Sequence, residues 1–205
     1  MHVKDQYDID QAGAQLLHAG SRQLFRYWES LRAERACPER SEFQLAKMVD
    51  ILPNLAIIEQ SGAKTWNFRL AGTAVCDLLQ QPMTGKDALG GFDSFERDVV
   101  SKTFEIAIGR LQPCLVRMRL VSTSESIVPV EFIGLPVRDT TASKVRLFGG
   151  MFAFDDSASL ARTMLFRREL VSSRLIWTEH ENGDLLLDKV GRKVTPFRVI
   201  DGGRA

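Results

Sequence analysis

The hydrophobic period of this chain changes twice, and that change limits its fold more than any other feature. Between Asp93 and Leu111 the apolar residues Phe95, Val99, Val100, Phe104, Ala107, Ile108 and Leu111 recur at helical spacing. On both sides the period is two. Ahead of the helix, the apolar run "LAIIEQ" leads through the turn Ser61-Gly62 into Trp66, Phe68 and Leu70, which alternate with Asn67 and Arg69, so a hairpin is predicted. Behind it come three more strands. Cys114, Val116, Met118 and Leu120 share a face opposite Arg117 and Arg119; Val128, Val130 and Phe132 oppose Glu131; Phe148, Phe152 and Phe154 lie on one side of the last. Strands around a helical middle with short connections predict an α+β domain with a mainly antiparallel five-stranded sheet and helices on one face. A short helix from Ala74 to Leu79, a loop forced by Pro82 and Gly85, and the long helix capped by Asp93 or Ser94 form the crossover. Such a fold leaves a space between sheet and helices.

Two more helices are predicted before the first strand. Leu24, Tyr27, Trp28 and Leu31 recur at i, i+3, i+4 and i+7, a strongly apolar and aromatic face; a second helix starts near Ser41 and stops before Pro53. After Asp156 a helix carrying Arg162, Arg167 and Arg168 is expected, then a hairpin around Asn182-Gly183. This tail completes the domain, contacts a partner or is partly disordered, and all three readings stay open. The expected organisation is an N-terminal extension (1–19), one domain (20–156) and a C-terminal extension (157–205).

Charge narrows the function classes. Lys and Arg number 27 against 26 Asp and Glu, so there is no global field to recruit nucleic acid or an anionic membrane. The start "MHVKDQYDIDQAG" is too polar for a signal peptide and no apolar run reaches a membrane span, which implies a cytoplasmic protein. Cys37, Cys76 and Cys114 are widely spaced, with no C-x-x-C pair, and read as free buried thiols rather than zinc ligands.

Phosphate loops fail on spacing. Counting back from Gly85-Lys86 puts Gln80 where a P-loop needs Gly, and Asp87 follows where Ser or Thr should stand. Gly72 has no Gly-x-x-Gly continuation, so the dinucleotide fingerprint is absent. A Cys–His nucleophile pair lacks a His within the strands and long helix, because His2, His18 and His180 lie outside them. The chain reads as non-enzymatic.

The element order, with "LFRYWESLR" ahead, "FRLAGTAVCDLL" and "TGKD" in the middle and "LPVRD" and "FGGMFAFD" at the end, resembles a PAS domain over about residues 20–156. More narrowly it resembles a subfamily typical of alphaproteobacteria, with its Tyr-Trp helix, Arg-Leu-Ala-Gly-Thr strand end and Thr-Gly loop. The resemblance implies a sensory or regulatory module in bacterial signal transduction, holding a small ligand, a signalling protein partner, or both. It implies that Gly72, Thr73 and Gly85 are architectural. It does not imply haem, since residues 94–111 hold no axial His, nor flavin, since Cys76 sits in "TAVCDLL" rather than a photosensor motif.

Candidate residues carry two readings each. Phe68, Leu70, Phe104, Met118 and Phe132 suit the walls of an apolar ligand pocket, and the same spacing suits a plain packed core better. Thr73 could bond a ligand or cap a helix. Arg69 and Arg117 could anchor a carboxylate or simply be solvated. The face of Leu24, Tyr27, Trp28 and Leu31 suits a homodimer or partner surface, or docking on the chain's own sheet. A pure interaction adaptor with a filled core is the competing function.

Overall fold

A computed structural model describes residues 15–154 and 164–176. Six antiparallel strands form one sheet: β1 (Leu55–Gly62), β2 (Thr65–Ala71), β3 (Cys114–Ser122), β4 (Ile127–Asp139), β5 (Lys144–Ala153) and β6 (Leu165–Leu175). Their order across the sheet is β2-β1-β5-β4-β3-β6. The first five are those the period-2 pattern predicts. β6 is a correction: Arg167 and Arg168 belong to a strand paired with β3, where the sequence suggested a helix. The predicted Asn182-Gly183 hairpin and Arg162 lie outside the described residues.

Among the described residues three α-helices accompany the sheet: α1 (Ala19–Arg32), α2 (Thr73–Leu78) and α3 (Ser94–Arg110). Asp93 caps α3 by accepting from the Glu96 N–H, and Glu96 returns a bond to the Asp93 N–H, so two end donors are satisfied reciprocally. The helix predicted from Ser41 is instead two 3-10 segments, Arg40–Glu42 and Leu45–Asn54, the second broken at Met48 and running through Pro53. Among the described residues no helix is long and apolar enough to cross a membrane.

Helices cover both faces of the sheet, not one. On the inner face, α2, α3 and the 80–92 loop bury Trp66, Phe68, Val100, Phe104, Met118 and Phe132 in one cluster. On the outer face, α1 and the second 3-10 segment bury Leu24, Phe25, Trp28, Leu135, Phe148 and Phe152 in another. Alternation along β4 feeds both clusters, with Val128, Val130 and Phe132 inward and Ile133, Leu135 and Val137 outward. Gly72 lets the end of β2 cross closely over the 3-10 segment, since a Cβ there would stand 2.3 Å from the Pro53 carbonyl oxygen. Gly85 turns the following loop at φ +81° and returns its N–H to the Phe68 carbonyl at 2.7 Å.

Candidate functional site

Four of the six predicted pocket residues meet. Phe68, Phe104, Met118 and Phe132 are all buried on the inner face, with the Phe104 ring 5.3 Å from Trp66 and 5.7 Å from Phe132. The Trp66 indole N–H is satisfied by Ser101 Oγ at 3.0 Å. The cavity left among them is about 10 Å³, no more than the ~10–15 Å³ that one water requires. The space expected between sheet and helices is filled by side chains.

Leu70 and Thr73 do not join them. In the β1–β2 ladder Ile57 faces Leu70 while Ile58 faces Phe68, so Arg69 is an extra residue and the bulge turns Leu70 to the outer face. There it is 45% exposed, on a groove of about 350 Å³ shared with Phe43, Leu52, Ile57 and Phe148 and rimmed by Arg40 and Arg138. Thr73 is the exposed first residue of α2, and the cap position belongs to Gly72.

The predicted partner surface is also corrected. Leu24 and Trp28 are 0% and 1% exposed, and the Trp28 indole N–H donates to the Pro136 carbonyl at 2.8 Å. These two residues offer no surface to a second chain. Tyr27 and Leu31 are half-buried at the edge of the same contact, with the Gln44 N–H donating to the Tyr27 hydroxyl.

Arg117 is a structural partner rather than a free anchor. It donates through Nε to Glu131 at 3.0 Å, and the Glu131 carboxylate, 0% exposed, also accepts from the Leu17 and His18 N–H groups. Those bonds seat the chain just before α1. His18 caps α1 by accepting from the Gly20 N–H at its Nδ1, and its ring stacks on Phe152 at 4.8 Å. Burial holds its pKa below the ordinary value, against the pull of nearby Glu131. Arg69 is exposed.

Arg168 was missed by sequence reasoning. On β6 it pairs with Leu120, which directs it to the inner face, and it is 5% exposed. One Nη donates to the Ala88 carbonyl at 2.8 Å, the guanidinium lies 5.7 Å from the Phe92 ring centre, and Nε has no hydrogen-bond partner. Burial lowers its pKa to about 10 even though Asp87 raises it. The signal in the sequence was Arg-Arg among apolar residues, which reads as a charged helix face unless pairing with β3 is known.

Two of the thiols are set against nucleophilic chemistry by burial. All three cysteines are free; Cys37 and Cys114 are buried, and burial pushes the Cys114 thiol up to about 12. A thiol so protonated is a poor nucleophile at neutral pH.

A family model described as a PAS domain matches residues 16–152. The matched segment starts just before α1 and ends within β5, so it includes both faces of the sheet but not β6. No curated protein matches the chain. With most of its length matched, and with an antiparallel sheet carrying α2 and α3 on its inner face, the chain belongs to the PAS domain family.

Proposed function

We propose that this PAS domain is a non-catalytic sensory or regulatory module that acts by binding at its outside rather than by enclosing a ligand in its core. The observation that carries this reading is the filled inner face, where Phe68, Phe104, Met118 and Phe132 leave about 10 Å³. A small-molecule pocket normally has several hundred Å³. Of the two forms such a module takes, this supports the interaction form over the ligand-enclosing one. The buried, protonated Cys114 and the use of His18 as a helix cap support the absence of catalysis. The Tyr27-Trp28 helix and the Arg69-to-Thr73 strand end support placement in the alphaproteobacterial subfamily.

Native mass spectrometry of the purified protein tests the reading. The expected spectrum is that of the bare chain. A stoichiometric adduct retained through buffer exchange and released only on unfolding would show an enclosed ligand and overturn it.

A further inference from the structure

We propose that the pocket between the 80–91 loop and β6 binds a small carboxylic acid, with the carboxylate held by the Arg168 guanidinium. A buried cation normally has a counter-ion and several acceptors, because its desolvation is otherwise uncompensated. Among the described residues Arg168 has one acceptor, the Ala88 carbonyl, and its Nε has none. The carboxylate whose field favours its charge, Asp87, is already hydrogen-bonded elsewhere: it takes Arg97 at 2.6 Å on one oxygen and the Leu89 N–H at 2.9 Å on the other. The guanidinium thus keeps an unused donor edge.

The Nε atom itself is covered, but the Arg168 side chain borders a usable space. Arg168 lines both the 10 Å³ inner cavity and an open pocket of about 390 Å³ beside it, so the side chain forms the wall between them. Lys86 and Arg167 add positive charge to the pocket and Asp87, held by Arg97, one negative charge, while Leu79, Met83 and Met164 supply apolar surface. Arg167 is paired with Glu169, leaving Lys86 as the second cation facing a ligand, with only a long 3.4 Å contact to Gln81. The combination fits a short carbon skeleton ending in a carboxylate, since the planar guanidinium fork matches a carboxylate's two oxygens. Gly91 keeps the fork in place: the loop passes so close that a Cβ there would stand 3.2 Å from Arg168 Cγ, and its carbonyl accepts the Arg168 N–H at 2.8 Å.

This goes beyond the regulatory reading, and neither stands or falls with the other. An adduct locked in the core would overturn the first without touching this pocket, and a failure to bind carboxylates would leave the first intact.

The test is calorimetric titration of the full chain with butyrate, succinate and inorganic phosphate, each to ~10 mM so that millimolar binding registers. Saturable heat with a carboxylate is expected. Arg168→Met should weaken it at least tenfold, the scale of a lost charge-assisted bond, and Lys86→Ala should weaken succinate by roughly fivefold, the scale of one exposed ion pair. No heat with either carboxylate, heat with phosphate alone, or unchanged affinity in Arg168→Met overturns the proposal. If Arg168→Met does not fold, Lys86→Ala decides, and equal succinate affinity there overturns it.

Discussion

Two of the buried charged side chains, Glu131 on the outer face of the sheet and Arg168 on the inner face, are treated in opposite ways. On the outer face Glu131 accepts from two backbone N–H groups and from Arg117, so a carboxylate with no solvent exposure is surrounded by donors. On the inner face Arg168 donates one side-chain bond and leaves Nε unpartnered. Both charges cost free energy to desolvate, and Glu131 is compensated by three donors where Arg168 has one side-chain acceptor, the Phe92 ring and the field of Asp87. Glu131 ties the start of α1 to the middle of β4. Arg168 ties the 80–91 loop to β6 through one side-chain bond, to the Ala88 carbonyl.

The largest expected effect lies on the outer face. Trp28→Ala should lower unfolding free energy by about 3–5 kcal/mol, because it empties a fully buried aromatic site and leaves the Pro136 carbonyl without its donor. Urea denaturation reads this directly. A loss below about 1 kcal/mol would mean that α1 does not stabilise the sheet, and would return Trp28 to the partner surface the sequence allowed.

Glu131→Gln should cost about 3 kcal/mol, at the low end for a broken buried ion pair because Arg117 keeps 20% exposure and can turn to water. The amide is isosteric, yet its NH2 cannot accept from any of the N–H donors it would face. Unchanged stability by the same denaturation would show that the outer-face charge is no better anchored than the inner one, and the comparison would collapse.

How far the sequence reveals this arrangement follows from how local each cause is. β1 to β5 and α3 rest on periodicity and on the Asp93–Glu96 capping pair, which are properties of adjacent residues, and they are legible. Leu70 is misplaced because a bulge at Arg69 reverses the alternation, and nothing in "NFRLAG" marks the register of the partner strand. β6 is missed because one of its inward positions is Arg168, not an apolar residue, and because a register shift at Val171 breaks the alternation between the inward Leu170 and Leu175. The second helix fails for a third reason: the pattern from Ser41 is helical, but Met48 has φ −132° and the chain continues as 3-10 turns through Pro53. Phe68, Phe104, Met118 and Phe132 were legible as a group. Whether they enclose a hollow or fill it depends on fit, which spacing does not encode.

A smaller effect concerns pH and again belongs to the outer face. His18 caps α1 through an unprotonated Nδ1, and burial lowers its folded-state pKa below the ordinary 6.5. Its contribution is therefore fully present above pH 6.5 and is lost as the pH falls through the folded value. Glu131 opposes the loss by favouring the imidazolium, while Arg22 reinforces it. The ring is partly exposed, so the change should be no more than about 1 kcal/mol, the size of one helix cap. His18→Asn supplies a cap that does not titrate. Denaturation of both proteins at pH 7.5 and 5.5 should show the wild type losing ground on the variant at the lower pH; a constant difference would remove His18 as the cause.

The smallest expected change is the most discriminating. Arg168→Met removes a guanidinium that is 5% exposed and replaces it with an apolar chain of similar length. The Ala88 carbonyl loses its donor, at a cost of about 1–3 kcal/mol. Against that, a buried cation with one side-chain acceptor disappears, and replacing buried charges by apolar groups of similar volume is often neutral or stabilising by about 1–4 kcal/mol. The two terms nearly cancel, so the unfolding free energy should shift by less than about 1 kcal/mol in either direction. The packing around Phe92 and Leu89 favours tolerance, since Met fills the same space flexibly. Urea midpoints of the two proteins, measured in a buffer free of carboxylates and phosphate, make the comparison clean. A loss as large as that of Glu131→Gln would show that Arg168 is a structural strut holding the 80–91 loop to β6, and the contrast between the two faces would then be one of geometry and not of role.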